Sequence, residues 1–167
     1  MEENKPVNEK EKEVEQKDLP KEEENKKVIL IVEDDDISFD ILNTMLKENY
    51  EIKRAKNGEE GLQIIRKDAK ELSLILLDLM MPVMDGFMVL KSKAAERRIT
   101  NIPVIVLTSD KKMEVEAFKL GAIDFIKKPF ESADVIQARV NRIVELLNYM
   151  KETIFKQLTK TLPQLES

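Results

Sequence analysis

Four short, strongly apolar runs constrain the fold of this 167-residue chain more than any other feature of its sequence. Successive side chains of a β-strand point to opposite faces, so a nearly uninterrupted apolar run predicts a strand that is buried on both faces. Strands of that kind are typical of parallel sheets covered by helices on both sides. The four runs are Val28–Val32, Leu72–Leu77, Val104–Leu107 and Ile123–Ile126.

Helical patterns fill the segments between these runs, and a weaker alternating run, Tyr50–Ala55, supplies a fifth strand. We expect Asp36 to be the N-cap of the first helix and Gly121 to end the fourth. The alternation of five strands with five helices predicts an α/β fold built on a doubly wound parallel sheet. The predicted helices are Ile37–Lys47, Gly58–Ala69, Phe87–Arg97, Lys111–Leu120 and a last one from Ser132 onward. The side chains of the first helix that we expect to face inward are Phe39, Ile41, Leu42, Met45 and Leu46.

Residues 1–26 differ sharply in composition from the folded segment that follows them. They contain ten acids against six lysines, a net charge of −4, and few apolar residues. Such a segment buries too little apolar surface to offset its ordering entropy, so we predict a disordered, charged tail. The folded domain is expected to span residues 27–147.

The last helix is predicted to extend beyond that domain, over residues 148–167. Its first half should dock on the sheet, whereas the half past about Leu147 would keep an apolar face without a surface to cover it. That half is either a longer core contact or terminal tail, or a helix that pairs with a second copy or leads into an output domain. The apolar residues, spaced by 4, 3, 4, 3 and 4, are Ile136, Val140, Ile143, Leu147, Met150 and Ile154.

Composition excludes several classes of function. The chain has no cysteine and no histidine, which excludes disulfides, thiolate or imidazole metal sites and a phosphohistidine relay within the chain. A net charge of −5 gives no overall basic field for nucleic acid. No apolar run reaches the roughly 18 residues of a membrane span, and no secretory signal is visible, so we expect a cytoplasmic protein.

Polar side chains follow four of the five predicted strands, at the point where each strand ends. Because parallel sheets place their chemistry at the carboxyl ends of the strands, these side chains should converge on one crevice. Each signal is weak alone, since an acidic run or a Thr-Ser pair after a strand is usually a loop or a cap. The converging residues are Glu33, Asp34, Asp78, Thr108, Ser109 and Lys128.

Carboxylates in such proximity repel one another unless a cation lies between them. Oxygen ligands without imidazole or thiolate favour Mg²⁺, Mn²⁺ or Ca²⁺ over zinc. With a metal and Lys128 to neutralise charge, the Asp78 carboxylate could attack a phosphorus atom, and the Thr108 hydroxyl could donate to a phosphoryl oxygen.

Four segments carry a resemblance to a known family. Together they agree with it in residue type, order and spacing, and the chain resembles the receiver domains of two-component response regulators over roughly residues 27–147. The matching segments are Ile29–Asp35, Leu76–Gly86, Ile102–Ser109 and Gly121–Phe130.

The resemblance implies a flavodoxin-like sheet of strand order 2-1-3-4-5 with five helices, the last extended. It implies that Asp78 is the phosphoacceptor and that Mg²⁺ or Mn²⁺ is bound by Glu33, Asp34, Asp78 and the backbone carbonyl of Met80. Asp34 would bind the metal directly and Glu33 through water.

The resemblance also assigns the remaining positions. Thr108 and Lys128 would contact the phosphoryl group, and the Lys128–Pro129 peptide bond would be cis, as is common in the family. Phe125 would be the aromatic switch residue that moves inward when Thr108 moves, and so reshape the surface of the fourth helix, fifth strand and fifth helix.

The implied function is that of a regulatory phosphoacceptor, which catalyses only its own phosphorylation and dephosphorylation. A sensor histidine kinase or phosphotransfer protein would donate the phosphoryl group, and the last helices could form a homodimer. An aspartyl phosphatase of the haloacid-dehalogenase type is disfavoured, because Met80 stands where those enzymes place a second aspartate. A flavodoxin-like cofactor carrier is disfavoured because acids follow the first strand. A pseudo-receiver that acts without phosphorylation, as an interaction or dimerisation module, is the alternative.

Overall fold

The computed structural model describes residues 25–161 of the chain. Nearly all of the predicted disordered tail, residues 1–24, and the end of the predicted helical extension, residues 162–167, lie outside the described residues. The strands are β1 (Val28–Val32), β2 (Glu51–Ala55), β3 (Leu72–Asp78), β4 (Val104–Thr108) and β5 (Asp124–Lys127). The helices are α1 (Asp36–Leu46), α2 (Gly58–Lys67), α3 (Gly86–Ala95), α4 (Lys111–Lys119) and α5 (Ala133–Thr161).

The five strands form one parallel sheet in the order β2-β1-β3-β4-β5. This confirms the predicted topology and puts β3 at the centre, with β1 and β4 on either side of it. Side chains of alternate residues enter two apolar layers, as the runs predicted. On one face Leu30 and Ile75 pack with residues of α2 and α3, and on the other Ile31 and Leu74 pack with residues of α1 and α5.

The start of α1 differs from the prediction. Its N-cap is Asp35, whose carboxylate accepts a hydrogen bond of 2.7 Å from the backbone N–H of Ser38. Asp36 is the first helical residue, and its carboxylate pairs with Arg54 instead, so the prediction of Asp36 as the cap was wrong. Ile41, expected to face inward, is 40% exposed.

The last helix is 29 residues long, and only its first part is covered by the sheet. Its fully buried residues are Ile136, Val140 and Val144, the last of which was missed in the predicted stripe. Past Leu147 the predicted stripe continues into solvent, with Ile154 53% exposed. Within residues 25–161, no helix has the length and apolar character needed to cross a membrane.

Candidate functional site

The carboxyl ends of β1, β3, β4 and β5 meet at one edge of the sheet and form a single pocket. Strand pairing fixes this arrangement, because Asp78 lies opposite Leu107 and Thr108 lies opposite Lys127 in the parallel register. Every residue predicted to converge there lines the pocket, together with Asp35, Ser38 and Met80. These residues are Glu33, Asp34, Asp78, Thr108, Ser109 and Lys128.

Three of the four carboxylates that line the pocket have oxygens that lie close enough to share one cation. One oxygen each from Glu33, Asp34 and Asp78 lies within 4.8 Å of the others. Glu33 is fully buried and Asp78 is 4% exposed, whereas Asp34 is exposed to solvent. Three oxygen donors, one of them open to water, fit a hard divalent cation such as Mg²⁺, which keeps part of its hydration shell.

Lys128 supplies the only positive side chain among the residues that line this pocket. Its Nζ lies 2.6 Å from Glu33 Oε2 and 3.4 Å from Asp78 Oδ2. The backbone N–H of Lys128 donates to the Thr108 carbonyl at 2.8 Å, and the Lys128–Pro129 peptide bond is cis, as the resemblance implied. The ammonium is thus held mainly by Glu33, within reach of Asp78.

The pKa values of the two buried acids are raised mainly by their burial. Burial raises the pKa of Glu33 to about 7, against the opposing effect of its hydrogen bond with Lys128. Burial likewise raises the pKa of Asp78, and the charge of Lys128 opposes that rise. For Lys128, burial lowers the pKa, but the hydrogen bond with Glu33 and the charge of Asp78 outweigh it and raise the pKa. With all four groups ionised, the three clustered carboxylates and the Lys128 ammonium leave a net charge of −2, which one divalent cation would balance.

Backbone amides orient the two buried carboxylates. Asp78 Oδ1 accepts a hydrogen bond of 3.1 Å from the N–H of Met80, and Glu33 Oε1 accepts one of 3.1 Å from the N–H of Asp35. Both oxygens of Glu33 therefore have protein partners, one in Asp35 and the other in Lys128. That occupancy favours an indirect contact of Glu33 with a cation, through water.

Among the described hydrogen bonds, neither Thr108 nor Phe125 is joined to the carboxylates of the pocket. The Thr108 oxygen accepts a hydrogen bond of 3.1 Å from the N–H of Asp110, and it is 3.3 Å from the Asp110 carbonyl. Phe125 lies outside the pocket, half-buried, with its ring edge-on to Phe118 at a centroid distance of 6.1 Å. The predicted switch roles of these two residues stay predictions.

The response regulator receiver domain family matches residues 29–141 of the chain, more than half of its length. The chain is a response regulator receiver. The transcriptional regulatory protein SrrA of Staphylococcus aureus is 35% identical over 130 residues. That match covers 77% of this chain and 51% of SrrA, so the receiver chain spans about half the length of the curated relatives it matches.

Solved structures agree with this assignment. A crystal structure of a response regulator from Chloroflexus aurantiacus has a TM-score of 0.67 and 32% identity, and the match covers 72% of the receiver chain and 98% of that chain. The BeF₃-activated receiver domain of DrrB has a TM-score of 0.62 and 27% identity, with 72% and 98% covered. Both confirm the receiver fold.

Besides Asp35 and Ser38, which line the pocket, sequence analysis missed Arg54, which lies beside it. Arg54, on β2, reaches the loop that carries Glu33 and Asp34, and its Nη2 lies 3.3 Å from the Glu33 carbonyl oxygen. No local sequence signal could have revealed the contact of Arg54, because an arginine on a half-buried edge strand ordinarily extends its charged end into solvent.

Proposed function

We propose that this receiver accepts a phosphoryl group on Asp78 from the phosphohistidine of a sensor histidine kinase or phosphotransfer protein. The observation that carries the proposal is the position of the Asp78 carboxylate, at the end of the central strand between two other acids and the Lys128 ammonium. An Asp78 oxygen would form the new O–P bond while the N–P bond of the donor breaks, and the electron pair of that bond returns to the imidazole nitrogen.

The surrounding side chains suit this transfer because they position the carboxylate and neutralise charge. The N–H of Met80 holds one Asp78 oxygen and so leaves the other to attack. Lys128 Nζ, 3.4 Å from that second oxygen, can move the short distance needed to donate to a phosphoryl oxygen. Thr108 can do so only by giving up its contacts with Asp110.

Glu33, Asp34 and Asp78 are the side chains that would hold Mg²⁺ or Mn²⁺, with the Met80 carbonyl as a further ligand. When bound, the ion would neutralise charge on the transferring group. Asp34 is the acid most open to solvent, so we assign it the direct contact.

The proposal is tested by phosphorylation with acetyl phosphate and Mg²⁺, followed by intact mass spectrometry. Asp78→Asn should abolish the added phosphoryl mass. Asp85→Asn is the matched control, because it makes the same acid-to-amide change at the N-cap of α3, where asparagine caps equally well. Labelling of Asp78→Asn at the wild-type rate would remove the central claim.

We further propose that phosphorylation moves Thr108 toward the phosphoryl group and lets Phe125 turn inward, which changes the α4–β5–α5 surface. The contact of Phe125 with Phe118 of α4 supports this, since movement of the ring would release an α4 side chain. Beryllofluoride with Mg²⁺, the activated state named for the DrrB receiver, should shift the ring resonances of Phe125. The shift should disappear in Thr108→Ala.

A pseudo-receiver that works without phosphorylation is the alternative function. It predicts no labelling of the wild-type chain and no spectral change with beryllofluoride. The intact cluster of acids beside Lys128 favours the phosphoacceptor, because such a charge excess is costly to keep without a role for it.

The exposed face of α5 supports a homodimer through the last helices. Two copies would present identical faces, in which Phe155 is 68% and Leu158 60% exposed. A chain ending at Leu147 should retain the folded receiver domain and be monomeric in sedimentation equilibrium, whereas the full chain should dimerise. A full chain that stays monomeric contradicts the dimer without affecting phosphorylation.

A further inference from the structure

Arg54 lies beside the acidic loop but outside the pocket. It is paired with Ile31 in the β1–β2 ladder, and its side chain crosses to the loop between β1 and α1. Its Nη2 lies 2.7 Å from Asp36 Oδ1, 3.3 Å from the Glu33 carbonyl oxygen and 3.5 Å from the Asp34 carbonyl oxygen. One guanidinium nitrogen thus faces three of the four residues that follow β1, namely Glu33, Asp34 and Asp36.

The guanidinium is held in place from a second direction. Its Cζ lies 4.3 Å from the ring centroid of Phe39, one turn into α1, and the side chain is 20% exposed. Its Nε is buried and is the one buried side-chain nitrogen or oxygen without a hydrogen-bond partner among the described residues. The hydrogen bonds of Nη2 and the stacking on the Phe39 ring therefore fix the position of this guanidinium, although its Nε is left without a hydrogen bond.

We propose that Arg54 is a positioning residue for metal binding: it fixes the peptide planes of Glu33 and Asp34 so that their carboxylates face Asp78. This inference rests on the proposed metal site. A carbonyl held by a donor fixes the plane of its peptide group, and the side chains on either side of that plane follow. Loop residues otherwise depend on few hydrogen bonds, of which Glu33 N–H to the Ala55 carbonyl, at 3.0 Å, is one.

The charge of Arg54 acts in the opposite direction. A cation near the acidic cluster repels Mg²⁺, so removal of the charge alone would tighten metal binding. A positioning role therefore predicts weaker Mg²⁺ binding when Arg54 is replaced by an uncharged residue, whereas its charge predicts tighter binding. A measured affinity distinguishes the two effects. Lys56 provides the charge control, since its Nζ lies 3.7 Å from the same Asp36 oxygen but makes no hydrogen bond to the loop carbonyls among the described contacts.

Calorimetric titration with Mg²⁺ compares the wild-type chain with Arg54→Met, Arg54→Lys and Lys56→Met. We expect Mg²⁺ to bind about tenfold more weakly to both Arg54 variants, the usual loss when a group that orients metal ligands is removed. Lys56→Met should bind Mg²⁺ as tightly as wild type, or slightly more tightly. Wild-type or tighter Mg²⁺ affinity in Arg54→Met overturns the inference, because Arg54 would then affect Mg²⁺ binding at most through its charge.

A second measurement needs no metal. The Asp35 N–H, which donates to Glu33 Oε1, should exchange with solvent several-fold faster in Arg54→Lys than in wild type, since the loop would open more often. Exchange at the wild-type rate overturns the inference. Should the Arg54 variants fail to fold, Phe39→Leu decides: loss of the stacking ring should weaken Mg²⁺ binding, and unchanged affinity overturns the inference.

The outcomes also distinguish this inference from the proposed function. If wild type binds Mg²⁺ and is phosphorylated while the Arg54 variants bind Mg²⁺ equally well, only the role of Arg54 falls. If wild type does not bind Mg²⁺ at all, the metal site and the role of Arg54 both fall.

Discussion

Lys93 of α3 is a buried ammonium away from the acidic pocket. It is 6% exposed, and its Nζ donates to the Thr100 carbonyl at 2.5 Å. Among the described residues it forms no ion pair with a carboxylate. Burial lowers its pKa from the ordinary 10.5 to about 8. The charged form is therefore less stable in the folded protein than in the unfolded chain.

The size of this penalty follows from the two pKa values. A lysine with a lowered folded pKa contributes stability above its unfolded pKa, and that stability is lost as the pH falls through the folded pKa. The gap between 10.5 and about 8 corresponds to about 3 kcal/mol at neutral pH. Lys93→Met keeps most of the apolar chain and removes the charge, but it also removes the bond to Thr100, a loss of about 1.5 kcal/mol. We expect a net gain of about 1.5 kcal/mol at pH 7.

Urea unfolding followed by circular dichroism at about pH 7 and about pH 9.5 tests this reasoning. Near pH 9.5 the folded wild type carries Lys93 mostly uncharged, so the effect of Lys93→Met should fall by about 2 kcal/mol, from a gain of about 1.5 kcal/mol to a loss of about 0.5 kcal/mol. Lys91→Met, an exposed lysine on the same helix, should show no such change between the two pH values. A Lys93→Met advantage that is equal at both pH values would refute the assignment of a desolvated ammonium.

Three further predictions concern the loop after β3 and the metal. Val83 has a φ of 70° and is 76% exposed, so Val83→Gly should relieve strain and raise the free energy of unfolding by about 1 kcal/mol in urea unfolding. A Cβ on Gly86 would lie 2.5 Å from the Asp78 carbonyl oxygen, so Gly86→Ala should lower the free energy of unfolding by about 2 kcal/mol and slow phosphorylation; wild-type values in both assays would contradict this. Mg²⁺ at a hundredfold excess over its Kd should raise the free energy of unfolding by about 2.7 kcal/mol in wild type, and by less in Asp34→Asn at the same concentration.

The sequence predicted the strands well because a buried strand is recognisable from its own run of apolar residues. The runs at Val28–Val32 and Val104–Leu107 needed no knowledge of their neighbours, since a strand covered on both faces is apolar throughout. The end of each strand then located the site, and the pocket joined all the predicted side chains. The residue pattern within each strand was thus enough to predict that strand and the site residues at its end.

Prediction failed where the choice between adjacent residues depended on a distant partner. Asp35 and Asp36 are equally good caps by residue type, and only the pairing of Asp36 with Arg54 decides between them. Ile41 fits the inward pattern of α1, yet it is 40% exposed. The contacts of Arg54 with the loop could not be predicted for the same reason, since its partners are about 20 residues away along the chain.

The acidic pocket shows how the apolar sheet sustains a charge arrangement that is unfavourable on its own. Burial raises the pKa values of Glu33 and Asp78, so any stability that depends on their protonation is lost as the pH rises through those values. The buried apolar residues of β1 and β3 supply the packing that holds both acids in place despite this cost. Lys128 Nζ lies closer to Glu33 (2.6 Å) than to Asp78 (3.4 Å), so its contact with the Asp78 oxygen is the weaker of the two. A tighter pair between Lys128 and Asp78 would occupy the oxygen that the proposed phosphoryl transfer needs.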